Sequence, residues 1–243
     1  MEGKKLNSLN VNGMGTYGGG EFECVNVSGK CKIIEEINCE SIDVSGSATF
    51  EGNVACLRGR VSGSCKVEKD INAEEISISG IYKQNGSAVA QHFEVSGIAK
   101  IKQCLSVNKL YSSGILNVKG DINGEEVRSE GIINCGGLLN CESLEIYSMC
   151  GCKLNEVGAA IVKIRQQGWK INKLISLFVP QSRSAVVNVI EGDDIYLEEC
   201  DVKVIRGKNV KLGKSCHIDT IEYSGTFEKD DASTVENLVK VGE

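Results

Sequence analysis

Few residues of this chain combine a reactive side chain with a spacing that could support chemistry. The 243-residue sequence contains two histidines, His92 and His217, the side chains best suited to general acid–base work near neutral pH. Among its twelve cysteines, Cys150 and Cys152 flank one glycine and could supply two thiolates to a metal site. Because no second ligand pair follows at a zinc-like spacing, this metal signal is weak.

Adjacent carboxylates are the other candidates for chemistry. Glu74–Glu75 and Glu125–Glu126 could in principle divide the roles of general acid and general base. Whether any of these groups meets a partner depends on the elements that position them.

A glycine recurs at a constant interval through the first half of the chain, usually after a serine. A fixed period of this length is typical of a solenoid, in which each repeat is one coil stacked on the last. The series is Gly29, Gly46, Gly63, Gly80, Gly97, Gly114 and Gly131.

In rows of 17 that start one residue before this glycine, apolar residues occupy positions 4 and 6, 10 and 12, and 15 and 17. Alternation with a period of two indicates strands with one buried face. The sequence therefore predicts an all-β, single-stranded parallel β-helix with three short strands in each coil. Glycine at position 8, as in Gly52 and Gly86, predicts left-handed corners.

The rows also assign the candidate reactive groups. His92 and both glutamate pairs fall at outward positions, where charges are most often simply solvated. Of nine cysteines within the rows, all but Cys104 fall at inward positions, which favours a role in a narrow core. We therefore predict no catalytic residue, no metal site and no cofactor.

The repeat divides the chain into segments. Asn12 to Val27 fits a first coil that is one residue short, and after Ile146 the pattern decays before tighter coils resume with a period of 15 to 16. The predicted segments are a polar N-terminal tail (1–11), a first β-helix block (12–152), a part-helical insertion (153–185), a second β-helix block (186–227) and a charged C-terminal cap or tail (228–243).

Composition narrows the partners. The net charge of −6 argues against nucleic acid as the main partner. No signal peptide or 18-residue apolar run is present, which predicts a cytoplasmic protein. The polar start MEGKKLNSL does not support membrane attachment, although the inner face of the membrane stays open as a location.

One enzyme class remains as a minor alternative. His217, within VKLGKSCHID, faintly resembles the catalytic histidine of hexapeptide-repeat acyltransferases. Those enzymes build each coil from three hexapeptides, whereas this chain has a longer single repeat and then a shortened one.

The rows as a whole resemble the bactofilins, polymer-forming cytoskeletal proteins of bacteria, and in particular a long subgroup of that family. The likeness lies in the coils SGKCKI, SGSCKV and SGIAKI, in the opening GTYGGGEFECVNVSG, and in the closing stretch from IEGDDIYLEEC to DTIEYSG. The resemblance implies a right-handed, triangular β-helix that assembles end to end, without nucleotide, into non-polar filaments. Such filaments act as scaffolds in cell shape, motility or the positioning of other proteins.

The resemblance suggests where contacts form. We expect the polymer end faces to include Phe22, Val25, Tyr223 and Phe227. Apolar residues of the insertion are candidates for contact with a partner, a membrane or the rod itself: Trp169, Leu174, Ile175, Leu177 and Phe178. The expected partners are further copies of the chain and unknown client proteins. The alternative is a monomeric β-solenoid binding module whose insertion recognises a protein or membrane.

Overall fold

The computed structural model of the chain describes residues 6–147, 151–165 and 185–242. Every regular element within these ranges is a β-strand, and the strands pair in parallel with strands one coil away along the chain. The chain divides into two compact units, residues 1–120 and 121–243. Both units are parallel β-solenoids, so the predicted fold class is confirmed.

The first unit alternates short and long strands. Its strands are β1 (Leu9–Val11), β2 (Met14–Tyr17), β3 (Gly20–Val27), β4 (Lys30–Ile33), β5 (Ile37–Val44), β6 (Ser47–Phe50), β7 (Val54–Val61), β8 (Ser64–Val67), β9 (Ile71–Ile78), β10 (Ile81–Gln84), β11 (Ala88–Val95), β12 (Ile98–Ile101), β13 (Leu105–Ser112) and β14 (Ile115–Val118).

Each coil of this unit has two strands rather than the predicted three. A four-residue strand is followed by an eight-residue strand that carries both remaining pairs of inward positions, as β11 does with Ala88, Ala90, Phe93 and Val95 buried. Two consecutive outward residues mark the bend in the long strand. Backbone pairing continues through that bend, so the corner does not interrupt the strand.

The core of the first unit consists of in-register columns of apolar side chains. The coil that carries two large aromatic residues also carries two small ones: Tyr82 and Phe93 share it with Ala88 and Ala90, and the two rings meet edge to face at 6.5 Å. Tyr82 donates a hydrogen bond to the Gln84 amide oxygen. Small residues in the same coil thus offset the volume of the aromatic pair.

Gln84 is a polar residue at an inward position, and it is 1 % exposed. Its amide nitrogen donates to the carbonyl oxygens of Lys69 at 2.5 Å and Ser87 at 3.0 Å. With the Tyr82 hydroxyl as donor to its oxygen, the amide is satisfied at both ends, which a buried polar group requires.

The corner glycines are required by close backbone approach rather than by left-handed conformation. A Cβ on Gly63 would lie 2.0 Å from the carbonyl oxygen of Gly46, and one on Gly80 would lie 2.0 Å from that of Gly63. Among the described glycines only Gly20 has a positive φ, at 132°. The prediction of left-handed corners at Gly52 and Gly86 is therefore wrong, because each coil backbone passes too close to the last for a side chain.

The first coil is one residue short, as predicted. Met14 pairs with Lys30, whereas Gly20 pairs with Ile37, so the offset between paired residues grows by one within this coil. The structure also places Leu9–Val11 in β1, with Val11 buried against the register partner Val27. This corrects the boundary of the tail predicted for residues 1–11.

The predicted inward cysteines pack in the core. Nine of the eleven described cysteines are buried and two are half-buried, and none of the eleven forms a disulfide. Cys39 and Cys56 are direct cross-strand neighbours. Burial raises the pKa of the Cys39 thiol to about 12, with a smaller contribution from Cys56, and raises the pKa of Cys56 to about 11. Cys150 lies outside the described residues.

The second unit has longer strands that run around several corners. They are β15 (Ile122–Asn123), β16 (Glu126–Ser129), β17 (Ile132–Tyr147), β18 (Lys153–Arg165), β19 (Ala185–Leu197), β20 (Cys200–Leu212), β21 (His217–Tyr223), β22 (Phe227–Lys229) and β23 (Thr234–Lys240). The predicted tightening of the coils is confirmed, since Ile195 pairs with Val210 and Val202 pairs with Ile218.

The region predicted as an insertion, 153–185, begins with solenoid strand. β18 pairs with β17 along its length, so 153–165 belong to a coil, and 185 begins β19. A register shift lies between Cys135 and Leu138. As a result Val162, not Ile161, occupies the buried column of Leu144. The remainder of the predicted insertion, 166–184, lies outside the described residues.

The predicted C-terminal cap or tail contains two strands. β23 pairs in parallel with β21, so Ile218 and Ile221 lie beside Val235 and Leu238. β22 pairs with the end of β20. Residues 227–240 therefore form a further coil, and the boundary predicted at 228 is corrected.

We expect Gly63→Ala to destabilise the first unit by about 2–4 kcal/mol, because the new methyl group would force two backbones apart. Gly13→Ala is the matched control, since a Cβ at Gly13 would meet no atom within 4 Å. The control should change the free energy of unfolding by less than about 0.5 kcal/mol in urea titrations. Equal effects of the two substitutions would contradict the close-approach explanation.

Alkaline pH should destabilise the fold through its buried thiols. Unfolded cysteines ionise near pH 9.0, whereas folded Cys39 and Cys56 stay protonated up to pH values of about 12 and about 11. Since their folded pKa values are raised, their contribution is complete below pH 9 and is lost as the pH rises from there through about 11 and 12. Urea midpoints measured at about pH 8 and about pH 10 should fall less in a Cys39→Ala/Cys56→Ala variant than in the parent. An unchanged pH slope in that variant would refute the assignment.

Candidate assembly interface

The last coil of the second unit presents an open edge. Among the described residues, β23 pairs only with β21 and β22 pairs only with β20, so the outer backbone groups of both strands have no strand beside them. Leu238 lies in the inward column above the buried Ile221, yet it is 48 % exposed. The C-terminal edge thus leaves a core-type side chain uncovered.

An aromatic cluster borders this edge. The rings of Tyr223 and Phe227 lie 5.6 Å apart, and the Lys240 ammonium lies 5.8 Å from the Tyr223 ring centre. Phe227 occupies the inward column of Val210 and is half-buried. Tyr223 precedes the last coil, because Lys240 of β23 is its register partner. Of these two predicted end-face residues, Phe227 lies in the edge coil and Tyr223 lies one coil further in.

The first coil of the first unit has a different edge. The Tyr17 ring folds over Gly15, and its Cε2 and hydroxyl atoms lie 2.9 Å from where a Gly15 Cβ would be. Phe22 occupies the inward column of Cys39 and is half-buried. Both aromatic rings fill the first coil, so this edge is largely plugged by its own side chains.

Val25 is not an end-face residue. It is fully buried, and Leu9 of β1 is its register partner on the outer side. The sequence pattern placed the polar start outside the solenoid, and β1 covers Val25 instead. The prediction for Val25 is therefore wrong.

The remaining candidate residues show no assembled site. His217 is exposed, and its Nδ1 atom lies 2.7 Å from the Thr234 hydroxyl oxygen of the next coil. His92 is also exposed, with Glu75 and Lys109 as register partners. Within the described ranges, no cluster of three or more His, Cys, Asp or Glu residues could hold a metal ion. Cys152 is buried beside the backbone of Ile133.

The predicted contact residues of the insertion, from Trp169 to Phe178, lie outside the described residues. In the part of the chain that the structure describes, no helix has the length and apolar character needed to cross a bilayer.

Sequence reasoning missed the exposed residues of the C-terminal edge. Val239 and Val241 are 46 % and 42 % exposed, beside Leu238. A signal for this coil was present, because Val235 and Leu238 follow the inward residues Ile218 and Ile221 at the same interval as the glycines of the first unit. The charged surroundings of these residues concealed that offset.

Comparison with known proteins finds two relatives of unknown role. The chain is 31 % identical over 106 residues to the uncharacterized proteins YhbF and YhbE of Bacillus subtilis strain 168, over 43 % of this chain. The match covers 42 % of YhbF and 44 % of YhbE, so the chain spans less than half the length of these curated relatives. No protein-family model and no solved structure matches the chain.

The edge assignment predicts a contrast between two neighbouring residues of one column. Leu238→Lys should change the free energy of unfolding by less than about 1 kcal/mol, because its side chain already reaches solvent. Ile221→Lys, one coil below, should unfold the unit, because it would bury an unpaired charge. Thermal melts followed by far-ultraviolet circular dichroism would measure both. A strong loss of stability in Leu238→Lys would mean that the edge is covered.

Proposed function

We propose that this protein is a non-catalytic scaffold that assembles end to end into nucleotide-independent filaments. The observation that carries the proposal is the open C-terminal edge, where β22 and β23 lack outer partners among the described residues and Leu238 is half exposed above a buried column. A second copy stacked on this edge would continue both the hydrogen-bond ladder and the core.

Physical chemistry favours assembly at such an edge. A row of unpaired N–H and C=O groups is a template for another strand, and monomeric proteins usually protect it with proline, repeated charge or a covering loop. β23 contains no proline and carries one acidic and one basic residue, Glu236 and Lys240. Leu238, Val239 and Val241 would lose exposed apolar surface on stacking, which is favourable in water.

The resemblance to bactofilins supports the wider role. It supplies the proposed functions in cell shape, motility or the positioning of client proteins, and the proposed location in the cytoplasm or at the inner face of the membrane. The net charge of −6 favours protein partners over nucleic acid. The proposal contains no chemical step, and His217 is assigned a contact between coils through Thr234 rather than catalysis.

The alternative proposal is a monomeric binding module whose insertion recognises a partner. It predicts a constant mass at all protein concentrations. Concentration-dependent assembly therefore separates it from the scaffold.

Electron microscopy and analytical ultracentrifugation of the purified chain test the scaffold directly. We expect filaments at micromolar protein without nucleotide, and we expect Leu238→Lys or Phe227→Lys to abolish them by placing a charge in the stacked core. Leu57→Lys is the matched control, because Leu57 is a leucine of similar exposure, 44 % against 48 %, on the side of the first unit.

The control variant should assemble like the parent, and circular dichroism should show that all variants keep their β-structure. A parent protein that stays monomeric at every concentration and salt condition would refute the scaffold. Filaments that persist in both edge variants would move the interface elsewhere.

A further inference from the structure

The short strands of the first unit form a sheet whose outer surface is basic. We call the outward side chains of β4, β6, β8, β10, β12 and β14 the lysine face. None of the outward residues on these six strands is acidic. The lysines of the face are Lys30, Lys32, Lys66, Lys83 and Lys100.

Three of these lysines stand in one column. Lys66 pairs in register with Lys83, and Lys83 pairs with Lys100. Neighbouring parallel strands are about 4.8 Å apart, and like charges directly opposite each other destabilise a sheet. Within the described residues, neither Lys83 nor Lys100 has a carboxylate at ion-pair distance, whereas Lys66 pairs with Glu68.

The chain arranges charges differently elsewhere. In the second unit Arg206 lies between Glu191 and Glu222 of the adjacent coils, at 2.6 Å and 3.1 Å. Opposite charges alternate there, as solenoid stacking favours. The uncompensated lysine column therefore costs stability that alternation would have avoided, which suggests that it serves an external anion.

An apolar column runs beside the lysines. Ile81, Ile98 and Ile115 are in register on the same face, two residues before Lys83, Lys100 and Asn117. Ile81 is 46 % exposed and Ile98 is 37 % exposed. The lysine face thus combines a row of cations with a row of exposed isoleucines.

Acidic residues of the same unit lie on a different face. The outward residues in the first half of its long strands include Glu21, Glu40 and Glu74 and no lysine or arginine. Charges separated by more than the Debye length, about 8 Å at physiological salt, are largely screened from each other. Because packed sheets lie about 10 Å apart, a partner at the lysine face experiences mainly its cations.

We propose that the lysine face docks on an anionic lipid bilayer. The lysine ammonium groups contact lipid phosphates while Ile81 and Ile98 enter the boundary between headgroups and acyl chains. A bilayer takes up the cationic and the apolar column together. A soluble polyanion or an acidic protein surface would satisfy the lysines and leave the isoleucines against charge. This inference does not depend on filament formation.

Vesicle flotation tests the proposal with a matched pair of variants. The parent should float with phosphatidylcholine vesicles that contain about 30 % phosphatidylglycerol and not with pure phosphatidylcholine. Each lysine at an anionic surface contributes about fivefold to partitioning, so Lys66→Gln/Lys83→Gln/Lys100→Gln should weaken binding about 100-fold. The control Lys203→Gln/Lys208→Gln/Lys214→Gln changes the net charge equally, with exposed lysines of the second unit, and should bind like the parent.

Ile81→Ser/Ile98→Ser keeps every charge and should weaken binding about tenfold. Equal binding by the two lysine variants, or equal binding to neutral vesicles, would overturn the proposal. Assembly in the absence of vesicles that the lysine-face variant abolishes, without any flotation of the parent, would also overturn it and would identify the acidic face of a second copy as the occupant.

Discussion

The close approach of successive backbones at the corners is the constraint on which the rest of the solenoid depends. The carbonyl oxygen of Gly46 lies where a side chain of Gly63 would begin, and Gly80 repeats the contact one coil later. At that separation the strands on either side of the corner bond coil to coil, and Ser47 and Ser64 donate to Gly29 and Gly46. Every inward side chain then lies over its equivalent one coil away. The glycine period and the core columns are therefore two consequences of one spacing.

Columns of this kind relax the demands on individual residues. A coil must fill a fixed cross-section, but the volume can be divided among its inward positions in several ways. The coil of Tyr82 uses two aromatic rings, two alanines and a glutamine whose amide is fully bonded. Cysteine suits the same narrow space, and burial keeps the thiols of Cys39 and Cys56 protonated. An abundance of cysteine here indicates a small apolar side chain rather than a metal site or disulfide.

The periodic part of the fold could be predicted from the sequence because burial alternates with a period of two, and the departures from prediction have local causes. Val25 appeared terminal because Leu9 and Val11 are too few to show alternation, yet they pair with Val25 and Val27. The start of the insertion was misplaced because a register shift after Cys135 moved the buried position from Ile161 to Val162. The exposure of Leu238 could not be predicted, because an inward residue is exposed only where no further coil covers it.

Since hydrogen bonding and core packing are completed by inward residues and backbone, outward columns are free to differ from one another. The first unit uses this freedom to separate charge, with Lys66, Lys83 and Lys100 in one column and Glu40 and Glu74 in another. The second unit instead alternates charge across Glu191, Arg206 and Glu222. Two solenoid units with the same backbone pairing thus present different electrostatic surfaces. Chemistry in such a protein resides in columns and edges, where one property is repeated along the axis, and not in a pocket where unlike groups converge.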